Sequence, residues 1–170
     1  MKIIFLDIDG VLNYNNFKSE TKTGSMFVSD KKMKILKKII EETNAKIVLS
    51  STWRKGWKYL DLGLPSCLAS DFIELRDKFK EYEMEFYDKT PILSYYMTRR
   101  GEEINLWLDK HKEVEGFVII DDMSGRWLRP HSKHHLQTSV WKGLEEKHIK
   151  KIRKILELPI NKNNTEFEVE

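Results

Sequence analysis

The sequence predicts an α/β fold, a three-layer, Rossmann-like parallel sheet with helices on both faces and a minimal cap or none. Three observations carry that expectation. Short, almost continuous apolar runs recur: KIIFL at Lys2–Leu6, AKIVLSS at 45–51 and GFVIID at Gly116–Asp121. Such runs mark strands covered on both faces, as in a parallel sheet. Between them lie segments whose apolar residues fall at helical spacing. Strands that alternate with helices in this way close as right-handed parallel crossovers.

Each element has its own signal. The run at Lys2–Leu6 is the first strand. Ser29 and Asp30 open a helix whose Met33, Leu36, Ile39 and Ile40 share a face, and Thr43-Asn44 close it. Residues 45–51 form the second strand. The stretch 56–70 mixes Gly, Pro and aromatic residues, and a third strand is expected near Cys67. Residues 71–87, with alternating charges, read as one helix, and Thr90-Pro91 is a break. The segment 101–111 is a helix, with Ile104, Trp107 and Leu108 on one face and acids in its first turn. Gly116–Asp121 is a further strand, 135–139 another, and 145–156 a closing helix.

The chain has 170 residues and a mass of 20.3 kDa, enough for one domain. That domain is expected over 1–159, with a polar tail at 160–170. A content of 40% hydrophobic residues, with eight Phe, six Tyr and five Trp, is too apolar for a disordered chain. The single cysteine, Cys67, excludes a disulfide framework and a zinc–thiolate cluster. No apolar run approaches the roughly 20 residues a membrane span needs. Charges at Asp7 and Asp9 interrupt the early apolar stretch before it resembles a secretory signal, so the chain is expected in the cytoplasm. The formal charge of +3 permits an anionic partner without demanding one.

In open parallel sheets the ligand sits beyond the carboxyl ends of the strands. The first strand ends in Asp7-Ile8-Asp9-Gly10, the second in Ser50-Ser51-Thr52-Trp53-Arg54, and the strand at 116–121 in Asp121-Asp122. Taken singly, an aspartate there is a turn residue or a helix cap. Two apolar strands that both end in acids concentrate like charge, which is costly unless a cation neutralises it. A hard divalent ion with oxygen ligands, Mg²⁺, suits such a site, and Mg²⁺ bridges readily to phosphate oxygens.

These motifs resemble the haloacid dehalogenase superfamily of phosphohydrolases. The matching residues are the DxDG motif at Asp7, Asp9 and Gly10, with Val11 after it, a strand-end hydroxyl at Ser50 or Ser51, a basic residue at Arg100, and the acidic pair Asp121-Asp122. A closer likeness runs through SSTWR, RRGEEINLWL, VIIDD and the late Thr138, Gly143 and Leu144, a set similar to small dehalogenase-like domains of RNA-repair proteins. The resemblance implies Asp7 as nucleophile and Asp9 as general acid and base. It implies Mg²⁺ on Asp7, on the carbonyl of Asp9 and on Asp122, with Asp121 holding a metal-bound water. Ser50, or Ser51 one residue on, would donate to a phosphate oxygen. Arg100 would neutralise phosphate, with Arg99 and Lys89 as competing candidates.

The cap positions of this superfamily are nearly empty here. The loop 13–28 has room for a flap only, and one helix fills the interval from Arg100 to the acidic strand. An open site suits a phosphomonoester displayed on an RNA or DNA end. Arg54 and Trp53 are expected near that phosphate, Arg54 as a substrate contact. Arg126, Trp127, Arg129, His131, Lys133, His134 and His135 combine cations with an aromatic ring, as a nucleic-acid contact would. Two alternatives stand beside this one: a phosphatase for a small nucleotide or sugar phosphate, and a non-catalytic module that binds phosphate or RNA. The sequence does not specify an oligomeric state.

Overall fold

A computed structural model describes residues 1–15, 28–93 and 99–160. Five parallel strands form one sheet: β1 (Lys2–Leu6), β2 (Lys46–Leu49), β3 (Phe86–Lys89), β4 (Gly116–Asp121) and β5 (His135–Gln137), in spatial order β3-β2-β1-β4-β5. Five α-helices connect and close them: α1 (Asp30–Thr43), α2 (Arg54–Asp61), α3 (Cys67–Glu81), α4 (Arg100–Lys110) and α5 (Ile149–Leu156). This is the expected three-layer α/β architecture.

Burial explains why the strand sequences lack alternation. Ile4, Leu6, Ile47, Leu49, Val118 and Ile120 point to one face, where α1, α3 and α5 cover them. Ile3, Phe5, Val48, Phe117 and Ile119 point to the other, against Ile104 and Trp107 of α4. With both faces closed, each strand position gains from being apolar. Trp107 does two jobs: its ring meets Phe5 edge-on at 5.4 Å, and its Nε1 donates to Asp88 Oδ2 at 2.6 Å. It thereby ties α4 to the edge strand.

The helix boundaries follow local chemistry. The amide of Asn44, at φ 51°, closes α1 on the carbonyl of Ile40. The expected third strand near Cys67 is instead the start of α3. Ser66 caps that helix by accepting from the amide of Leu68, and Ala69, Phe72, Leu75 and Phe79 form its buried face. The helix expected over 71–87 stops at Glu81, the chain reverses through Glu83 at φ 54°, and β3 follows at Phe86–Lys89. The last helix is also shorter than expected, since 3₁₀ geometry holds Glu146–His148 before α5 begins.

The chain order makes β1 the point at which the sheet changes direction. After β1 it builds outward through β2 to β3, then returns to lay β4 and β5 on the other side. The crevice between β1 and β4 is the position at which such sheets bind ligands. Most of the expected flap loop (16–27), the segment 94–98 and the polar tail (161–170) lie outside the described residues. Among the described residues, no helix is long and apolar enough to cross a membrane.

Trp107 offers a test of this packing. Trp107→Ala should destabilise the protein by about 3–5 kcal/mol through the cavity it leaves. Trp107→Phe should cost about 1 kcal/mol, for the lost hydrogen bond to Asp88. Urea denaturation followed by circular dichroism measures both.

Candidate active site

Strand register assembles the site. Leu6 lies opposite both Leu49 and Ile120, so the residues that follow, Asp7, Ser50 and Asp121, emerge side by side at the carboxyl end of the sheet. The ladder continues one step beyond the strands: Asp7 N donates to Ile120 O and Ser50 N to Leu6 O, each at 3.0 Å. Acids more than 100 positions apart in sequence therefore meet. One carboxylate oxygen from each of Asp7, Asp121 and Asp122 lies within 4.8 Å of the other two.

Three carboxylates so close repel one another, and Arg100 offsets part of that repulsion. It enters from the first turn of α4, and its Nη1 is 3.0 Å from Asp7 Oδ2 and also contacts Asp121 Oδ2. All three side chains are buried. Burial opposes the guanidinium's charge, but Asp7 and Asp121 outweigh it, and the pKa of Arg100 is raised above its ordinary value. Asp121 is pushed up to about 6 by burial and by Asp7, against the pull of Arg100 and the Met123 amide. Asp122 is raised for the same two reasons, burial first. One arginine against three acids leaves residual negative charge in a largely buried cluster, which a single hard cation would balance. Asp121 already has an oxygen on Arg100 and another on Met123 N. Asp7 and the more exposed Asp122 are thus the freer candidates to hold such an ion.

Asp9 stands apart from this cluster, exposed at the mouth of the crevice. Its carboxylate is held at both oxygens: Asn13 Nδ2 donates to Oδ1 at 2.8 Å, and Trp53 Nε1 donates to Oδ2 at 2.9 Å. Gly10 makes the intervening turn at φ 70°, a conformation that side chains disfavour. A Cβ there would also lie 2.4 Å from Asp122 Oδ2. Glycine is thus required both by the turn and by the closeness of Asp122.

The two serines differ. Ser50 Oγ is fully buried and has no hydrogen-bond partner, whereas Ser51 Oγ accepts from the Trp53 amide at 3.5 Å. A buried hydroxyl without a partner is costly unless a ligand completes it. Among the three basic candidates, only Arg100 lies between the acids. Arg99 is exposed and pairs with Glu102, and Lys89 pairs with Asp61 at 2.6 Å and lies over the Trp57 ring.

Arg54 is placed behind the site. Its Nη1 donates to the carbonyls of Ser50 and Ser51, both at 2.7 Å, and its Nη2 pairs with buried Glu103. Burial lowers its pKa, against the attraction of Glu103. Glu103 sits one turn beyond Arg100 on α4 and also accepts from the Leu93 amide at 3.0 Å. The Arg54–Glu103 pair therefore joins the serine loop to the helix that delivers Arg100. Sequence reading missed Glu103 and Asn13. Their signals were an acid on the buried face of a helix, and an amide four residues after Asp9.

The basic loop after β4 divides in two. Arg126, Trp127, Arg129 and Lys133 are exposed. The histidines serve packing. His134 stacks on Phe117 at 4.1 Å with Nδ1 3.1 Å from the Phe117 carbonyl, His135 Nε2 is 3.1 Å from the Asp121 carbonyl, and His131 meets Phe117 edge-on. Burial lowers the pKa of all three, and that of His131 falls to about 4. They add no cationic charge at neutral pH.

A family model described as the HAD domain in Swiss Army Knife RNA repair proteins matches residues 3–149. The matched stretch contains Asp7, Asp9, Ser50, Arg100, Asp121 and Asp122. No curated protein matches the chain.

Two outcomes follow from the charges. Arg100→Gln should destabilise the metal-free protein by about 3–5 kcal/mol, because two buried acids lose their partner. Adding Asp121→Asn should recover part of that loss, read by urea denaturation as a double-mutant cycle. The depressed pKa of His131 favours the unfolded state once pH falls below the ordinary histidine value. Its contribution to stability should be fully present above about pH 6.5 and lost as pH falls toward about 4. His131→Gln should flatten the pH dependence of the urea midpoint across that window.

Proposed function

The chain belongs to the family of HAD domains in Swiss Army Knife RNA repair proteins, and from that premise we propose that it is a Mg²⁺-dependent phosphomonoesterase. It works through an aspartyl-phosphate intermediate, and its substrate is a phosphorylated nucleic-acid end. Residues 1–159 act as one catalytic domain. The observation that carries this reading is the meeting of Asp7, Asp121 and Asp122 around a space within 4.8 Å, with Arg100 against two of them.

The residues divide the chemistry. Asp7 attacks phosphorus in line, and the bond from phosphorus to the leaving oxygen breaks. Asp9 protonates that oxygen, then takes a proton from the water that attacks the aspartyl-phosphate, releasing inorganic phosphate and restoring Asp7. The paired contacts from Asn13 and Trp53 hold the Asp9 carboxyl in place for both transfers. The otherwise unpartnered Ser50 hydroxyl donates to a phosphate oxygen, with Ser51 the neighbouring alternative. Arg100 neutralises charge on Asp7 and on the transferred group. Arg54 acts as a positioning residue through the Ser50 and Ser51 carbonyls. Asp7, the carbonyl of Asp9 and Asp122 would hold Mg²⁺, with Asp121 behind them. The ion would supply Lewis-acid stabilisation of the phosphoryl oxygens.

Hydrolysis of p-nitrophenyl phosphate should therefore require Mg²⁺. Asp7→Asn should lower kcat by roughly three orders of magnitude or more with the fold intact. Activity retained in that variant would remove Asp7 as nucleophile. In a metal titration, Asp122→Ala should raise the Mg²⁺ requirement more than Asp121→Ala does. Oligonucleotides with 3′- or 5′-phosphate should be turned over with a higher kcat/KM than free mononucleotides, and equal values would leave no ground for a polymeric substrate.

A further inference from the structure

We propose that a pocket beside the catalytic loop binds the single-stranded nucleic acid leading to the reacting phosphate, with one base stacked on Trp141 and backbone phosphates held by Lys31 and Lys142. The proposal rests on the phosphatase reading and gives its substrate a second point of attachment.

The pocket has a volume of about 390 Å³, and Tyr14, Lys31, Lys32, Trp141 and Lys142 line it. The indole of Trp141 is 58% exposed, although a tryptophan gains more than most residues from burial. Lys32 is buried, with its Nζ 5.0 Å from the centre of the Tyr14 ring. Two acids also border the pocket, Glu145 and Glu146. Glu145 pairs with Lys147 at 2.7 Å and Glu146 with Lys38 at 3.4 Å. Among the described residues Lys31 and Lys142 form no close ion pair, although Lys142 is near enough to Glu145 to help lower its pKa. An exposed aromatic face next to available cations is the composition that single-stranded nucleic acid recognises, through stacking and backbone neutralisation.

The pocket also has a fixed relation to the chemistry. Thr138 Oγ1 donates to the carbonyl of Gly10 at 2.8 Å, Leu144 N to that of Val11 at 2.8 Å, and Asn15 N to that of Val140 at 2.9 Å. These bonds fasten the turn carrying Trp141 to the loop carrying Asp9. Gly143 lets the turn approach that closely, since a Cβ there would fall 2.6 Å from Val11 O. Chain geometry then keeps the Cα atoms of Trp141 and Asp9 within about 25 Å of each other. Lys31 is the second residue of α1, and because α1 connects the parallel strands β1 and β2 it starts on the carboxyl side of the sheet. The pocket and the acids therefore share one rim, and the turn has no evident structural reason to present an indole to water.

The test uses a fluorescently labelled, phosphorylated oligoribonucleotide and the Asp7→Asn chain, which binds without turnover. Trp141→Ala in that background should weaken binding about tenfold, and Trp141→Phe should retain most of it. Lys31→Ala with Lys142→Ala should lower the slope of log affinity against log salt by about 1.4. In the active chain, Trp141→Ala should reduce the ratio of kcat/KM for the oligonucleotide to that for p-nitrophenyl phosphate about tenfold. Oligonucleotide binding indifferent to Trp141, or an equal loss on both substrates, overturns the subsite, as does competition for the pocket by an acidic peptide and not by RNA. The two readings fail separately. A wild type that hydrolyses p-nitrophenyl phosphate but binds oligonucleotide independently of Trp141 refutes the subsite alone. Trp141-dependent binding by a wild type that hydrolyses no phosphomonoester refutes the phosphatase alone.

Discussion

Like charges on adjacent parallel strands set the terms for this molecule. Backbone pairing forces Asp7 and Asp121 to emerge as neighbours, because Leu6 and Ile120 are in register. Neither acid can move away without breaking the sheet. The conflict is met by a buried arginine in contact with both carboxylates, and the charge left unbalanced is what the proposed cation would offset. Stability and the proposed chemistry therefore draw on the same few groups. A site assembled in this way is preorganised, since its charges are placed by strand register and not by flexible loops.

A second tier of buried charge supports the first. Arg54 and Glu103 face each other across the junction between the serine loop and α4, and each also binds backbone at that junction. Replacing either would disturb a carbonyl or an amide that positions Ser50 or Arg100. Polar groups this deep in a domain are tolerated because most of their hydrogen-bonding capacity is used. The Ser50 and Thr90 hydroxyls and the Nε atoms of Arg54 and Arg100 remain buried without a partner.

Much of this was legible in the sequence, for identifiable reasons. Strands β1, β2 and β4 are buried on both faces, so their composition alone declares them, and the acids after β1 and β4 follow directly. β3 was misplaced because an edge strand of four residues, Phe86-Tyr87-Asp88-Lys89, carries no apolar run, while Cys67 begins an apolar-periodic stretch that belongs to a helix. The direction of Arg54 was not legible either. An arginine three residues after a serine pair is equally compatible with facing a ligand or facing backbone, and the buried contacts to Glu103, 49 positions away, and to the serine carbonyls turn it inward. The histidines after β4 look like a polar cluster in one dimension, but His131 and His134 pack on Phe117 and His135 is buried beside the Asp121 carbonyl.

The stitching of Gly10 and Val11 to Thr138 and Leu144 reaches across 128 positions or more. β1 is the first strand of this sheet in chain order, yet it is the central one, with β2 on one side and β4 on the other. A chain lengthening at the ribosome therefore carries β1 half-paired until residue 121 has been made, and its DxDG loop without the bonds from Thr138 and Leu144 until those residues follow. Long-range closure of this kind slows folding and prolongs exposure of apolar surface. It also means that a truncated polypeptide has no partial acid cluster, because the constellation comes into being only when the two distant parts of the polypeptide dock.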